Sequence, residues 1–213
     1  MRKTILLGAA LLGLAACASL TLGALLGRLS VTMDREIPFP GTVTLQGPPA
    51  AGGLGGSVLA GLGDNLVERQ LGGLLQGQTA DLRRQAAALL RGQVESAGIF
   101  SKVLDQGGDL GLSVGVSRYG LAFSDGRWQL VLDLEMKLSE PRLGVVWSGR
   151  RSAADLSADL KQVAGHVSAS HVLAEPGSLD RLATAAFKDL ASQLLDDMRR
   201  QQATGAMAFL QPH

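Results

Sequence analysis

Ser113 lies at the centre of the one sequence motif in the chain that could indicate a catalytic nucleophile. Residues 111–115 read Gly-Leu-Ser-Val-Gly and match the G-x-S-x-G pattern of a nucleophile elbow. That elbow needs a strained strand-to-helix turn, which exposes the serine above a parallel sheet. Here the alternation of apolar and small residues continues into Val116, and no helical pattern follows. Ser113 is therefore predicted to lie on the solvent-facing side of a strand, and the chain is expected to have no catalytic residue.

The histidines and the glycine-rich loop do not predict a metal or cofactor site. His166 and His171 are five residues apart, whereas two ligands on one helix face are four apart. No cysteine or group of acidic residues surrounds them, so we predict surface histidines. The glycine-rich loop at 52–56 lacks the lysine of a phosphate-binding P-loop. No metal ligand and no cofactor is predicted.

The acidic pairs are expected on solvated surfaces. Asp133 and Glu135 share one face of a predicted strand, and residues 196–197 (Asp-Asp) lie on a predicted helix surface. Neither pair has the apolar neighbours that general acid catalysis requires.

The composition limits the classes of partner. The chain has 213 residues, is 46% hydrophobic and 18% charged, and carries a formal net charge of +1. This is sufficient for one domain with a hydrophobic core. A nearly neutral chain is a poor match for nucleic acid, whose backbone attracts a basic surface. The single cysteine of the chain excludes an internal disulfide.

The clearest structural pattern is a long β-hairpin. Apolar residues alternate with polar ones through 128–138, which predicts a strand with one buried face. Asp125 and Gly126 give the tight-turn signal before it. The preceding strand, 110–123, changes phase near Arg118, which predicts a bulge there. A third strand is predicted to start at 143–147.

Helices and two short strands complete the predicted fold. Strands are predicted at 29–33 and 42–46. A weak helix is predicted at 64–75 and a stronger one at 79–97, with Thr79 as its N-cap and Gly98 just past its end. Residues 152–167 are ambiguous, and the strongest helix is predicted at 178–202. The fold class is α+β, an antiparallel meander sheet with two or three helices packed on one face.

Cys17 is the candidate modification site. A short basic start and an apolar run precede Leu-Ala-Ala-Cys at 14–17, which resembles the lipobox of bacterial lipoproteins. The resemblance implies cleavage before Cys17 and acylation of this residue, which would hold the mature protein in a membrane. The following Ala18 and Ser19 lack the aspartate of the inner-membrane retention signal, so the resemblance favours the outer membrane.

A transmembrane anchor is the alternative interpretation of the same segment. Residues 20–26 remain apolar, so 4–27 is long enough to span a bilayer. Under either interpretation the body is exported. The predicted organisation is a signal peptide at 1–16 (or an anchor at 4–27), a tether at 17–28, one α+β periplasmic domain at 29–202 and a loose tail at 203–213.

A wider resemblance rests on residues 94–103 (Val-Glu-Ser-Ala-Gly-Ile-Phe-Ser-Lys-Val), on 144–150 (Gly-Val-Val-Trp-Ser-Gly-Arg), on the long hairpin and on the final helix. Together with the lipobox, the body resembles the auxiliary lipoproteins of ABC-type transport systems and related small envelope-assembly lipoproteins. The resemblance implies a non-enzymatic accessory protein that assists envelope transport or assembly, with envelope proteins as partners and no catalytic residues. A binding module for a lipid or other apolar ligand, a hydrolase using Ser113 and a purely structural envelope role remain alternatives.

Overall fold

The structure, a computed structural model, describes residues 26–46 and 58–203. The strands are β1 (Ser30–Met33), β2 (Thr44–Gln46), β3 (Lys102–Leu104), β4 (Leu110–Ser124), β5 (Arg127–Glu140) and β6 (Gly144–Ser152). The helices are α1 (Val58–Ala97), a 3₁₀-helix (Ala153–Asp155), α2 (Ala158–Ala164), α3 (Ala169–Ala174) and α4 (Gly177–Ala203). The strands form one open, mostly antiparallel sheet, and the predicted α+β class is confirmed.

The antiparallel meander β4–β5–β6 is the centre of the sheet. Asp125 (φ 53°) and Gly126 (φ 76°) form the predicted tight turn between β4 and β5, since both have positive φ. The ladder between these strands shifts register between Val116 and Arg118, which confirms the predicted bulge. The shift allows both halves of β4 to bury apolar residues against the same face of β5.

Residues 30–46 run alongside β4 in the parallel direction, an arrangement that the sequence did not predict. Val31 pairs with Leu110 in β4, and Thr44 pairs with Gly120 further along the same strand. Between these two contacts the carbonyl of Pro38 accepts a hydrogen bond from the Val116 amide at 2.9 Å. β3 pairs in parallel with the other edge of β1.

The predicted break before Thr79 is wrong, because α1 is one helix of 40 residues. Thr79 lies in its interior, where its hydroxyl donates to the Leu75 carbonyl at 2.6 Å. Leu71, Leu75 and Leu82 are all buried, so one apolar stripe continues through the predicted break. Burial of this stripe outweighs the low helix propensity of the glycines near it. Gly98, with φ 63°, follows the end of the helix as predicted.

Helix α4 matches its predicted bounds within one residue at each end and packs on β5 and β6, while α1 packs against α4. A Cβ on Gly149 of β6 would lie 2.8 Å from Leu194 Cδ2, so the helix approaches this strand closely. The ambiguous segment 152–167 contains the 3₁₀-helix and α2. The apolar face of the sheet is therefore covered by helices, and the other face carries most of the polar residues of β4 and β5.

Candidate functional site

Cys17, the predicted lipidation site, lies outside the described residues, as does almost all of the alternative anchor 4–27. The glycine loop 52–56 and residues 204–213 also lie outside them. The description begins at Leu26, whose side chain is only 1% exposed and belongs to the hydrophobic core. Within 26–46 and 58–203, no helix is both long enough and apolar enough to cross a membrane.

Ser113 lies in the middle of a strand and not at an elbow. It is exposed on β4 between two buried residues, and it faces Lys137 across the hairpin. β4 continues to Ser124 and then enters the tight turn, so no helix follows Ser113. The geometry that activates a nucleophile elbow is therefore missing at this serine.

Asp133 is buried, so the prediction that it lies on a solvated face is wrong. Its side chain is 3% exposed, beneath two arginines that are each 61% exposed. Arg118 donates from Nε to Asp133 Oδ2 at 2.7 Å and from Nη2 to Oδ1 at 3.3 Å. Arg150 of β6 donates from Nη2 to the same Oδ2 at 2.8 Å. One carboxylate thus connects three neighbouring strands.

The electrostatics of this cluster keep Asp133 ionised. Burial alone would raise the pKa of Asp133, but the hydrogen bonds from Arg118 and Arg150 and their charges outweigh it and hold that pKa below its usual value. A carboxyl group that remains charged at neutral pH is a brace between strands and a poor proton donor. The alternation along β5 predicts on which side of the sheet Asp133 lies, but it does not predict the two arginine partners. Arg118 reaches Asp133 only because of the bulge.

The other predicted surface residues lie largely where the sequence placed them. His166 and His171 are both exposed; the first contacts the Gln162 carbonyl through Nδ1 at 2.9 Å, and the second lies 3.8 Å from Glu175. Glu135 forms an ion pair with Lys137 at 3.0 Å on the polar face of β5.

The adjacent acidic residues 196–197 of α4 make ion pairs. Asp197 contacts the guanidinium groups of Arg151 and Arg200, and Asp196 lies 3.8 Å from Arg199. In the described parts of the chain, no three histidine, cysteine or acidic side chains come together as a metal site would require.

A groove of about 650 Å³ between α1 and α4 is one candidate binding site that sequence analysis missed. Ala88, Gly92 and Ser96 lie four residues apart on α1, so small side chains follow one face of the helix there. The groove is lined by Gln85, Ala88, Leu89, Gly92, Gln93, Ser96, Thr184 and Lys188. A side-chain hydrogen bond from Gln93 Nε2 to the Lys188 carbonyl (2.9 Å) crosses from one helix to the other. The volume of the groove is in the range of small-ligand sites.

A second pocket, of about 420 Å³, lies at the tip of the β4–β5 hairpin. Its lining residues come from the hairpin, the 3₁₀-helix, α2 and the turn after α2: Asp125, Arg127, Gln129, Leu130, Ala153, Ala154, Lys161, Ala164, Gly165 and His166. The Val167 amide donates to the Trp128 carbonyl at 2.9 Å and fixes the turn after α2 against β5. We refer to this site as the hairpin-tip pocket.

Comparisons with known proteins find similarity only among solved structures. No protein-family model matches the chain, and no curated protein matches it. Three similar solved structures are a dodecamer of a PelC variant from Paraburkholderia phytofirmans, protein XCC0632 of the DUF330 family from Xanthomonas campestris, and the lipoprotein GNA1162 from Neisseria meningitidis.

These structures share little sequence with the chain. Identity to the PelC variant is 15%, with 78% of this chain and 85% of that chain covered and a TM-score of 0.32. Identity to XCC0632 is 13%, with 84% of this chain and 86% of that chain covered and a TM-score of 0.38. Identity to GNA1162 is 15%, with 72% of this chain and 97% of that chain covered and a TM-score of 0.24. All three TM-scores are below 0.5, so the similarity to these structures does not indicate a function.

Proposed function

We propose that this chain is a membrane-tethered, non-enzymatic accessory lipoprotein of the bacterial cell envelope. It would assist the transport or assembly of envelope components by binding proteins or lipids, with the outer membrane as the favoured location. Acylated Cys17 would hold it to the membrane, and its α+β body would face the periplasm.

The observation that carries this proposal is the short distance in sequence between Cys17 and the folded body. Leu26 is only nine residues after Cys17 and is already part of the hydrophobic core. Nine residues span at most about 30 Å when fully extended. A lipid on Cys17 would therefore keep the body close to the bilayer surface, where envelope partners and lipids are within reach.

The groove between α1 and α4 is the surface on which we would test for a protein partner. A photo-cross-linking residue at Leu89, inside the groove, would be compared in intact cells with one at Ser148, on the exposed polar face of β6. The proposal expects an adduct with an envelope protein at one or both positions. It would be contradicted if neither position gave an adduct and deletion of the gene left envelope permeability unchanged.

A second candidate is a signal-anchored extracytoplasmic module that binds an apolar ligand. The groove favours it, because Leu89, Ala88 and Gly92 provide an apolar surface in a volume large enough for a lipid chain. Native mass spectrometry of the purified full chain would test this candidate. A co-purifying apolar ligand, reduced in a variant with a filled groove, would support it, and a ligand-free spectrum would count against it.

A further inference from the structure

We propose that the hairpin-tip pocket binds a phosphate group carried on an organic stem. The pocket combines an apolar wall with two cations that form no ion pair among the described residues, and its volume is larger than a phosphate alone needs. This inference depends on the geometry of the pocket and not on the lipidation of Cys17.

Arg127 and Lys161 supply the positive charge. Both are exposed and line the pocket, and neither forms an ion pair with an acidic residue within the described ranges 26–46 and 58–203. Lys161 Nζ donates one hydrogen bond to the Ala154 carbonyl at 2.7 Å. An ammonium group has three donors, so two remain for a ligand. Arg127 has five donors, and in the described part of the chain its one side-chain hydrogen bond is with His166.

His166 positions Arg127. Its Nδ1 lies 2.9 Å from the Gln162 carbonyl, which needs a proton on this nitrogen, so Nε2 is left as the acceptor for the Arg127 guanidinium. The guanidinium is therefore held at the mouth of the pocket before a ligand arrives, which lowers the entropy cost of binding.

Two acidic residues near the pocket do not cancel this charge. Asp125 lines the pocket, and its carboxylate accepts a hydrogen bond from the Ser124 hydroxyl at 3.3 Å. Asp155 does not line the pocket; its pKa is lowered chiefly by the hydrogen bond from the Ser152 amide at 2.8 Å and to a smaller extent by the charges of Arg151 and Lys161. The lining contains one carboxylate and two cations, so the pocket retains a net positive charge.

The apolar wall indicates an organic ligand. Leu130, Ala153 and Ala164 line the pocket together with the cations. A volume of about 420 Å³ is within the range of sites that bind small organic molecules. The free donors come from two elements, Arg127 on β5 and Lys161 on α2, and a tetrahedral phosphate presents oxygens to donors from two directions better than a planar carboxylate does. A soluble phosphate ester and a phospholipid headgroup both offer this chemistry.

Calorimetric titration of the full chain in detergent would test the proposal, with glycerol 3-phosphate and dihexanoylphosphatidylglycerol as the two probes. Binding of at least one probe is expected, with affinity reduced about tenfold or more in Arg127→Ala and in Lys161→Ala. Tighter binding of the first probe would identify a soluble phosphate ester, and tighter binding of the second would identify a lipid headgroup.

Three further variants complete the test. Asp125→Asn keeps the turn, because asparagine accepts positive φ, and it should bind the preferred probe several-fold more tightly once the carboxylate is gone. Arg142→Ala and Lys102→Ala remove cations outside the pocket and should leave the affinity unchanged. The proposal is overturned if neither probe binds, or if the pocket variants bind as well as these two controls.

Discussion

Arg118 and Asp133 form an ion pair at the point where the β4–β5 ladder shifts register, with Arg118 Nε 2.7 Å from Asp133 Oδ2. Arg150 approaches the same oxygen from β6 at 2.8 Å. The buried carboxylate thus holds the strands on both sides of β5, on the face of the sheet opposite α4.

Loss of both arginines should cost more than the sum of the two single losses. Arg118→Ala and Arg150→Ala alone should each lower the free energy of unfolding by about 0.5–1 kcal/mol, since the other arginine still pairs with Asp133. The double variant leaves a buried carboxylate without a partner, and we expect about 2–3 kcal/mol. This is below the cost for a fully buried pair, because both arginines are 61% exposed and water can enter. A double-mutant cycle by urea denaturation would measure the coupling, and additive losses would contradict it.

The contribution of Asp133 to stability should disappear in acid. Because its pKa is lowered in the folded state, its stabilising effect is complete above the usual aspartate value of 3.8 and is lost as the pH falls below it, through the folded pKa. The difference in unfolding free energy between the wild type and Asp133→Asn should be constant from pH 5 to 7, about one unit or more above that value, and shrink below about pH 3.8. Denaturation curves across this range would check the sign, and a difference that grows in acid would contradict it.

Two glycine-to-alanine substitutions should have opposite effects. Gly120 has φ 152°, and a Cβ there would lie 1.8 Å from the Thr44 carbonyl oxygen, so Gly120→Ala should cost about 4 kcal/mol or prevent folding. Gly73 is exposed inside α1, and a Cβ there would meet no atom within 4 Å, so Gly73→Ala should raise stability by about 1 kcal/mol. Thermal denaturation would compare them. A tolerated Gly120→Ala would contradict the parallel pairing of β2 with β4.

Tyr119→Phe should leave the protein equally stable or more stable. The ring of Tyr119 is fully buried and packs edge-on against Phe39 at 5.8 Å, and its hydroxyl finds no hydrogen-bond partner among the described residues. Burial, and after it the charge of Asp180, raises the pKa of this phenol, so it stays protonated. Removing an unpartnered buried hydroxyl should gain up to about 1 kcal/mol. Urea denaturation would show it, and a clear loss of stability would mean that the hydroxyl does have a partner.

Filling the groove between α1 and α4 should abolish binding there without harming the fold. A Cβ at Gly92 would meet no atom within 4 Å, so Gly92→Leu can place a side chain in the groove. Leucine is also a better helix former than glycine, so stability should rise by about 0.5–1 kcal/mol. Cross-linking from Leu89 and the amount of co-purifying ligand should both fall. Gly92→Ala is the matched control with a small side chain, and equal binding by both variants would exclude the groove as the site.

Periodicity predicted those parts of the fold that depend on a single segment. Every apolar position of the 128–138 alternation is buried, from Trp128 to Leu138, and so is most of the predicted face of α4. The bulge near Arg118 was also predictable, because the apolar phase changes within one strand.

The parts of the fold that the sequence did not predict depend on pairing between residues that are distant in the chain. The parallel contacts of β1 with β3 and β4 connect residues about 70–80 positions apart, and alternation contains no information about the direction of a partner. The β5–β6 ladder shifts register between Leu138 and Ser139 of β5, which leaves Val145 of β6 41% exposed while Trp147 is buried, although both share one parity. The Asp133 cluster and both pockets likewise depend on side chains from different elements.

Metabolic labelling with a clickable fatty acid tests the central claim most directly. We predict that the wild-type chain takes up label, and that Cys17→Ser loses it and accumulates the uncleaved precursor, because Cys17 is the only cysteine in the sequence. Absence of label in both proteins, with both still bound to the membrane, would contradict the lipoprotein assignment and leave the 4–27 segment as a transmembrane anchor.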